Sequence, residues 1–370
     1  MRVFIAGDYC PQNRVASAFE SSNYHTVLSE VREKVCESDY AIVNLECPVV
    51  ESDAKPIVKQ GPCLKYSSKG IDALKYAGIN CVTLANNHFL DFGEVGVQET
   101  ISTLNSRSID YVGGGMNLEQ ASSIFYKDIK GYKLAIINCC EHEFSIATEN
   151  SPGSNPLDPI RQFYAINEAK TNADRVLVIT HGGHEHFQLP SPRMVETYRF
   201  FIDAGADAVI NHHQHCYSGY EVYHGKPIFY GLGNFCFDNP ELHNGFWTEG
   251  YAVFLDFSCD YPSFLLCPYR QCAEYPTVSF LPKDAFEKEI NQLNSVICNP
   301  SLLKEFIEGY YSKCATQYSS IFEPFYNHFY KAARYKGWIP SLIGEKRKLA
   351  AQNYVCCESH RDKLMWWLDE

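Results

Sequence analysis

A chain of 370 residues, 45% hydrophobic and 21% charged, has the make-up of a globular protein able to bury a sizeable core. Its formal charge of −12 argues against a nucleic-acid phosphate backbone or an anionic membrane surface as main partner. An anionic small substrate stays open where a metal ion supplies positive charge.

The opening MRVFIAGD goes straight into an apolar, strand-like run over 3–6 that closes at Gly7-Asp8. No secretory signal and no 18-residue apolar run is seen, so the expectation is a cytoplasmic chain without a membrane span. Sixteen scattered cysteines are then expected to stay reduced, since no CxxC pair is followed by a second one. Val27, Leu28, Val31 and Val35 have helical spacing, and 40–45 is a second strand ending in Asn44-Leu45-Glu46. Ile71, Leu74 and Ala77 predict a helix capped by Gly78. A third strand over 81–85 ends in Asn86-Asn87-His88, and a helix over about 94–105 leads to a short strand at 109–112.

Strand-like segments at 124–129 and 134–138 flank a hairpin turn at Lys130-Gly131-Tyr132. The polar, proline-containing stretch 141–159 is expected to fold over the site as a loop, followed by a helix near 160–171. The runs 176–180 and 206–210 have the β-branched content of buried parallel strands. Met194, Tyr198, Phe201 and Ile202 mark the helix between them. His181, His184 and His186 follow the first run; His212, His213 and His215 follow the second. Beyond a strand at 227–230 comes Gly231-Leu232-Gly233-Asn234; 251–257 and 263–267 are expected in an antiparallel second sheet, and an aromatic-rich helical pattern starts near 283. The whole implies an α/β sandwich over 1–260 and a mainly helical C-terminal extension over 261–370.

Ligand chemistry in open α/β sheets collects beyond the carboxyl ends of the strands. Here five predicted strand ends deliver Asp8, Glu46, Asn87-His88, His181, and His213 with His215. Oxygen and imidazole donors together suit manganese, iron or zinc, and a bridging carboxylate would allow a pair of ions about 3.5–4 Å apart. His88 offers an imidazole suited to donate a proton to a leaving group, and Asp91 a carboxylate to hold its tautomer. Glu185 and His184 share the loop after His181; His186 and His212 are read as bystanders, His212 by strand alternation. Asn234 in the GLGNF turn and Asp238 just after it are read as groups that support the ligands, with a plain turn between strands as the alternative. The tail aromatics, Phe306, Tyr310, Tyr311, Phe322, Phe325, Tyr326, Phe329 and Tyr330, are expected in a packed core, and Trp366 and Trp367 to dock the tail or meet a partner.

In this order GD at Asp8, NLE at Glu46, ANNHFLDFG at 85–93 and the HGGHE, INHHQH and YGLGNFCFD runs resemble the CapA family. These are capsule and poly-γ-glutamate synthesis proteins of the calcineurin-like metallophosphoesterase superfamily, and residues 2–257 carry the resemblance. It implies a four-layer α/β/β/α sandwich and one or two divalent ions held by Asp8, Glu46, Asn87, His181, His213 and His215. It implies His88 as proton donor and puts Glu185 where the family carries an acid; by their positions in this sequence Asp91 joins them as a catalytic residue, with His184 and Asn234 at the substrate. The activity implied is hydrolysis, by activated water, of a phosphoester or a γ-glutamyl-type amide in an anionic small or polymeric substrate. The alternative is a non-catalytic, metal-stabilised scaffold for a polymer or a synthase partner. The superfamily's DxH is Asp8-Tyr9-Cys10 here, which leaves Cys10 either a thiolate ligand or a packing residue.

Overall fold

Each apolar run of the first 280 residues becomes a strand, and each helical stripe between runs covers a sheet face. A computed structural model describes residues 1–59, 61–242, 245–319, 327–344, 347, 348 and 351, with the side chains of 314–319 excepted. Contacts divide the chain into two compact units, Met1–Leu303 and Lys304–Glu370.

In chain order the first unit runs β1 (Arg2–Tyr9), α1 (Asn13–Glu20), α2 (Tyr24–Val35), β2 (Tyr40–Leu45), α3 (Lys69–Ala77), β3 (Cys81–Thr83), α4 (Gly93–Arg107) and β4 (Asp110–Val112). There follow β5 (Gly114–Gly115), α5 (Leu118–Ala121), β6 (Phe125–Ile129), β7 (Tyr132–Cys140), β8 (Gly153–Ser154), α6 (Pro159–Asn172), β9 (Arg175–His181), α7 (Pro192–Ala204) and β10 (Ala208–His212). The unit ends with β11 (Tyr220–Tyr223), β12 (Lys226–Phe229), β13 (Asn234–Cys236), β14 (Glu249–Asp256), β15 (Ser263–Gln271), β16 (Val278–Phe280) and α8 (Glu287–Ile297).

The first sheet has the order β16-β15-β14-β1-β2-β3-β4, with β13 also paired to β1. The second is β11-β12-β10-β9-β7-β6. In the first, β1 to β4 and β13 are parallel and β14 to β16 antiparallel. Val3, Ile5 and Ile42 of the first sheet and Ile136, Ile179 and Ile210 of the second form the core between them. The outer face of the first sheet, with Phe4, Ala41 and Val43, packs on Phe19, Val31, Leu74 and Leu104 of α1 to α4. Helices α6 and α7 cover the second sheet. This is the expected four-layer α/β/β/α sandwich.

Two placements differ from the sequence expectation. The strands expected at 251–257 and 263–267 do not start a second sheet: β14 pairs with β1, from Arg2 opposite Asp256 to Ile5 opposite Val253, and β15 pairs with β14. Strand periodicity is the same in either sheet, so only the long-range partner decides. The first sheet therefore continues past residue 260, and the compact unit closes at Leu303.

The second unit contains most of α9 (Pro300–Ser319) and α10 (His328–Tyr335), whose Asn327 cap accepts from Tyr330 N. Phe306, Tyr311 and Phe329 are exposed, against the expected packed core; α10 buries none of its residues. Phe322, Phe325, Tyr326, Trp366 and Trp367 lie outside the described residues. No helix among the described residues is long and apolar enough to cross a membrane.

Candidate metal centre

The polar residues gather where the parallel strands end. Asp8 sits near the end of β1, and Glu46 directly follows β2, its N–H donating to Tyr9 O. His181 closes β9 and His212 closes β10, in register with each other. Asp8 is held from two sides: Asn44 Nδ2 donates to its Oδ1 at 2.8 Å, and His213 N to its Oδ2 at 3.2 Å. The glycines around it permit close backbone approach, since a Cβ on Gly7 would lie 1.8 Å from Gly233 O. Past β10 the chain turns through left-handed backbone at His213 (φ 94°) and His215 (φ 56°). Such strained geometry in non-glycine residues concentrates at functional sites.

Two donor clusters result. In one, Asp8, Glu46 and His215 place one ligand atom each within 4.8 Å of one another. His215 Nε2 lies 3.5 Å from Glu46 Oε1, while its Nδ1 is 3.0 Å from Asn234 Oδ1. In the other, His181 Nε2 lies 3.0 Å from Asn87 Oδ1 and 3.1 Å from His213 Nδ1. Asn87 Nδ2 donates to Glu143 Oε2 at 3.1 Å, so the oxygen of the amide is the atom turned to the histidines.

The electrostatics fit a cation. Glu46 is fully buried, and neither carboxylate oxygen has a hydrogen-bond partner among the described residues. An unpartnered buried carboxylate is costly and persists where something compensates it. Burial, with Asp8 beside it, pushes Glu46 well above the usual carboxylate range, and burial pushes Asp8 up to about 7. Burial lowers His215 to about 3 and takes His181 well below its ordinary value, with His213 adding to the effect. Neutral imidazoles and carboxylates that cannot easily hold charge alone are the donor set a divalent ion needs.

Beside the first cluster lies a cavity of about 360 Å³ bordered by His88, Glu185, His186, His215, Phe237 and Trp247, among others. His88 Nδ1 is 2.7 Å from Asp91 Oδ2, as expected from their spacing. His184, on the same loop, is half-buried, and burial lowers its pKa.

Several expectations change. Asn234, expected at the substrate, is fully buried; its Nδ2 donates to the carbonyls of His215 and Trp247, both at 3.2 Å, so it orients His215. His212 does not point away: it shares the parity of Ala208 and Ile210 in the inter-sheet core, and its Nδ1 is 3.4 Å from Asp8 Oδ1. His186 borders the cavity, with its ring 5.9 Å from that of His215. Cys10 packs with Cys47 and Phe237, and burial raises its thiol well above the ordinary value, which disfavours a thiolate. Arg14 binds Asp238 bidentately, Nε donating to Oδ2 at 3.0 Å and Nη2 to Oδ1 at 2.7 Å.

Sequence reasoning missed Asn44, whose Nδ2 also lies 3.3 Å from His181 Nδ1, and Glu143, whose Oε1 lies 3.8 Å from His213 Nε2. Asn44 sits in the quoted NLE motif, so its position was a signal. Glu143 comes from the 141–159 loop and had none.

The profile of the family described as bacterial capsule synthesis protein PGA_cap matches residues 2–239. The chain belongs to this family. Among the relatives of this PGA_cap member, the capsule biosynthesis protein CapA of Bacillus anthracis is 37% identical over 209 residues, which cover 54% of this chain and 51% of that protein. The PGA biosynthesis protein CapA of Bacillus subtilis (strain 168) is 32% identical over 235 residues, covering 63% and 62%. The chain thus spans about half to three-fifths of the length of these curated relatives. Among solved structures, a hypothetical protein from Thermus thermophilus aligns with a TM-score of 0.47 at 17% identity, covering 76% of this chain and 100% of that one. A 5'-nucleotidase precursor from the same organism aligns with a TM-score of 0.44 at 12% identity, covering 79% and 57%.

Proposed function

We propose that this PGA_cap member is a metal-dependent hydrolase in capsule, polyglutamate or other cell-surface polymer metabolism, cleaving a phosphoester or a γ-glutamyl-type amide. The observation that carries the reading is the buried, unpartnered Glu46 carboxylate clustered with Asp8 and His215. Asp8, Glu46 and His215 would hold one divalent ion, and Asn87, His181 and His213 a second; manganese, iron and zinc suit these donors. Bound there, the ions would supply Lewis acidity and a water activated at neutral pH.

The remaining roles belong to the chain's own residues. Asp91 holds His88 through Nδ1, and no hydrogen bond among the described residues uses His88 Nε2. That nitrogen is the proton donor for a leaving group entering the cavity. Glu185 lines the same cavity and would orient substrate or water, with His184 on its loop contacting the polar part of the substrate. Every proposed site residue lies within 1–260; β15, β16 and α8 complete the same compact unit without supplying one.

The test is elemental analysis of the purified chain and of His213→Ala, with 4-nitrophenyl phosphate and γ-glutamyl-4-nitroanilide offered to the same samples. Near two equivalents in the parent, one in the variant and turnover of one probe class support the reading. No bound metal after reconstitution with manganese, iron or zinc would sink it and favour a non-catalytic scaffold.

A further inference from the structure

Lys59 is a cation in an unusual place. Its side chain is 2% exposed, and it forms an ion pair with Asp91, itself fully buried. Its Nζ also lies 3.2 Å from His88 Nδ1 and 3.5 Å from Asn87 O, and 5.9 Å from the centre of the Phe144 ring. Lysine is seldom buried unless paired, and the partner here is the residue that holds the proposed proton donor.

The Asp91 carboxylate is divided between two duties. One oxygen meets Lys59; the other meets His88 Nδ1 and accepts from Leu64 N at 2.6 Å. The segment carrying Lys59 is anchored on the same residue, with Ile57 N donating to Asp91 O at 2.9 Å. A buried carboxylate deprived of its cation is an uncompensated charge, and it relieves that state by rotating or by drawing in water. Either response would release His88 Nδ1 and let the ring turn. An imidazole released in this way no longer keeps Nε2 directed at the cavity that His88 borders.

We propose that Lys59 is a positioning residue for His88: by pairing with Asp91 it keeps the carboxylate docked on Nδ1, so that Nε2 faces the substrate. This rests on the hydrolase reading for its catalytic consequence but not for its structural one, and the two separate experimentally. A proton donor matters most when the leaving group is a poor one. In the metal-loaded full chain, Lys59→Met should therefore lower kcat on phenyl phosphate about 100-fold, at the lower end of what such donors contribute, and on 4-nitrophenyl phosphate less than about threefold. Lys59→Arg, which keeps the charge, should recover most of the loss. Nitrogen-15 spectra of the histidine side chains, with His88 assigned by comparison with His88→Ala, should show its ring signals displaced in Lys59→Met and parent-like in Lys59→Arg.

Equal losses on both esters with unchanged His88 signals would overturn the proposal. If the parent turns over neither ester, the hydrolase reading fails on its own, and the spectra still decide the role of Lys59. Should Lys59→Met not fold, Lys59→Gln, which keeps a polar head without the charge, takes its place. Its His88 ring signals should be displaced as well; parent-like signals there would equally overturn the proposal.

Discussion

The two donor clusters are built from the same strand ends yet solve different problems. Around His181 the groups satisfy one another: Asn87 Oδ1, His213 Nδ1 and Asn44 Nδ2 all lie within 3.3 Å of a ring nitrogen. Around Glu46 they do not: it shares its buried space with Asp8, and neither of its carboxylate oxygens accepts a hydrogen bond from a described residue. The first cluster can persist as a hydrogen-bonded network whether or not an ion is present. The second carries a cost in buried charge that a divalent ion would remove. The comparison implies unequal affinities, with the stronger drive to bind at Asp8, Glu46 and His215.

The sharpest way to break this contrast is Glu46→Gln. Metal affinity at that cluster should fall about a hundredfold or more, while the metal-free protein should gain roughly 1–2 kcal/mol by losing a buried, unpartnered carboxylate. Titration with a chromophoric chelator and thermal unfolding with EDTA check the two signs. His213→Ala should act at the other cluster, weakening one ion about tenfold to a hundredfold and leaving the first in place. A variant that loses both ions together would dissolve the distinction.

The pH dependence sharpens it further. Asp8, raised to about 7, takes up a proton as the pH falls through that value, and a bound cation must displace it. His215, lowered to about 3, is neutral throughout this window and releases nothing. Glu46, also held well above the usual carboxylate range, must give up any proton it holds as well, so affinity at the carboxylate cluster should drop at least about tenfold per pH unit below 7, with proton release visible by calorimetry in buffers of different ionisation enthalpy. Flat affinity between pH 7 and 6 would contradict a protonated Asp8 in the free protein.

Smaller effects test the margins. Both ring nitrogens of His212 are buried without hydrogen-bond partners among the described residues, so His212→Leu should stabilise the metal-free protein by about 1 kcal/mol in chemical denaturation. Cys10→Ala should leave metal content unchanged, because Cys10 packs in the small cluster with Cys47 and Phe237. Loss of an ion on that substitution would restore Cys10 as a ligand.

By itself the sequence determined the alternation of strands and helices and the strand ends at which chemistry would gather. Asp8, Glu46, His181 and His215 were legible because parallel strands deliver their last residues to one edge, a consequence of local pattern. His88 and Asp91 were legible because three residues separate them. Tertiary structure alone decided that β14 and β15 extend the first sheet, because a strand's partner is set by packing and not by its own period. It also decided that His212 faces Asp8, since the parity of β10 has meaning only once Ile210 is known to lie between the sheets. Glu143 and Lys59 come from connecting segments without periodicity. Their places depend on what the loops fold onto, and a single sequence carries no local signal for that.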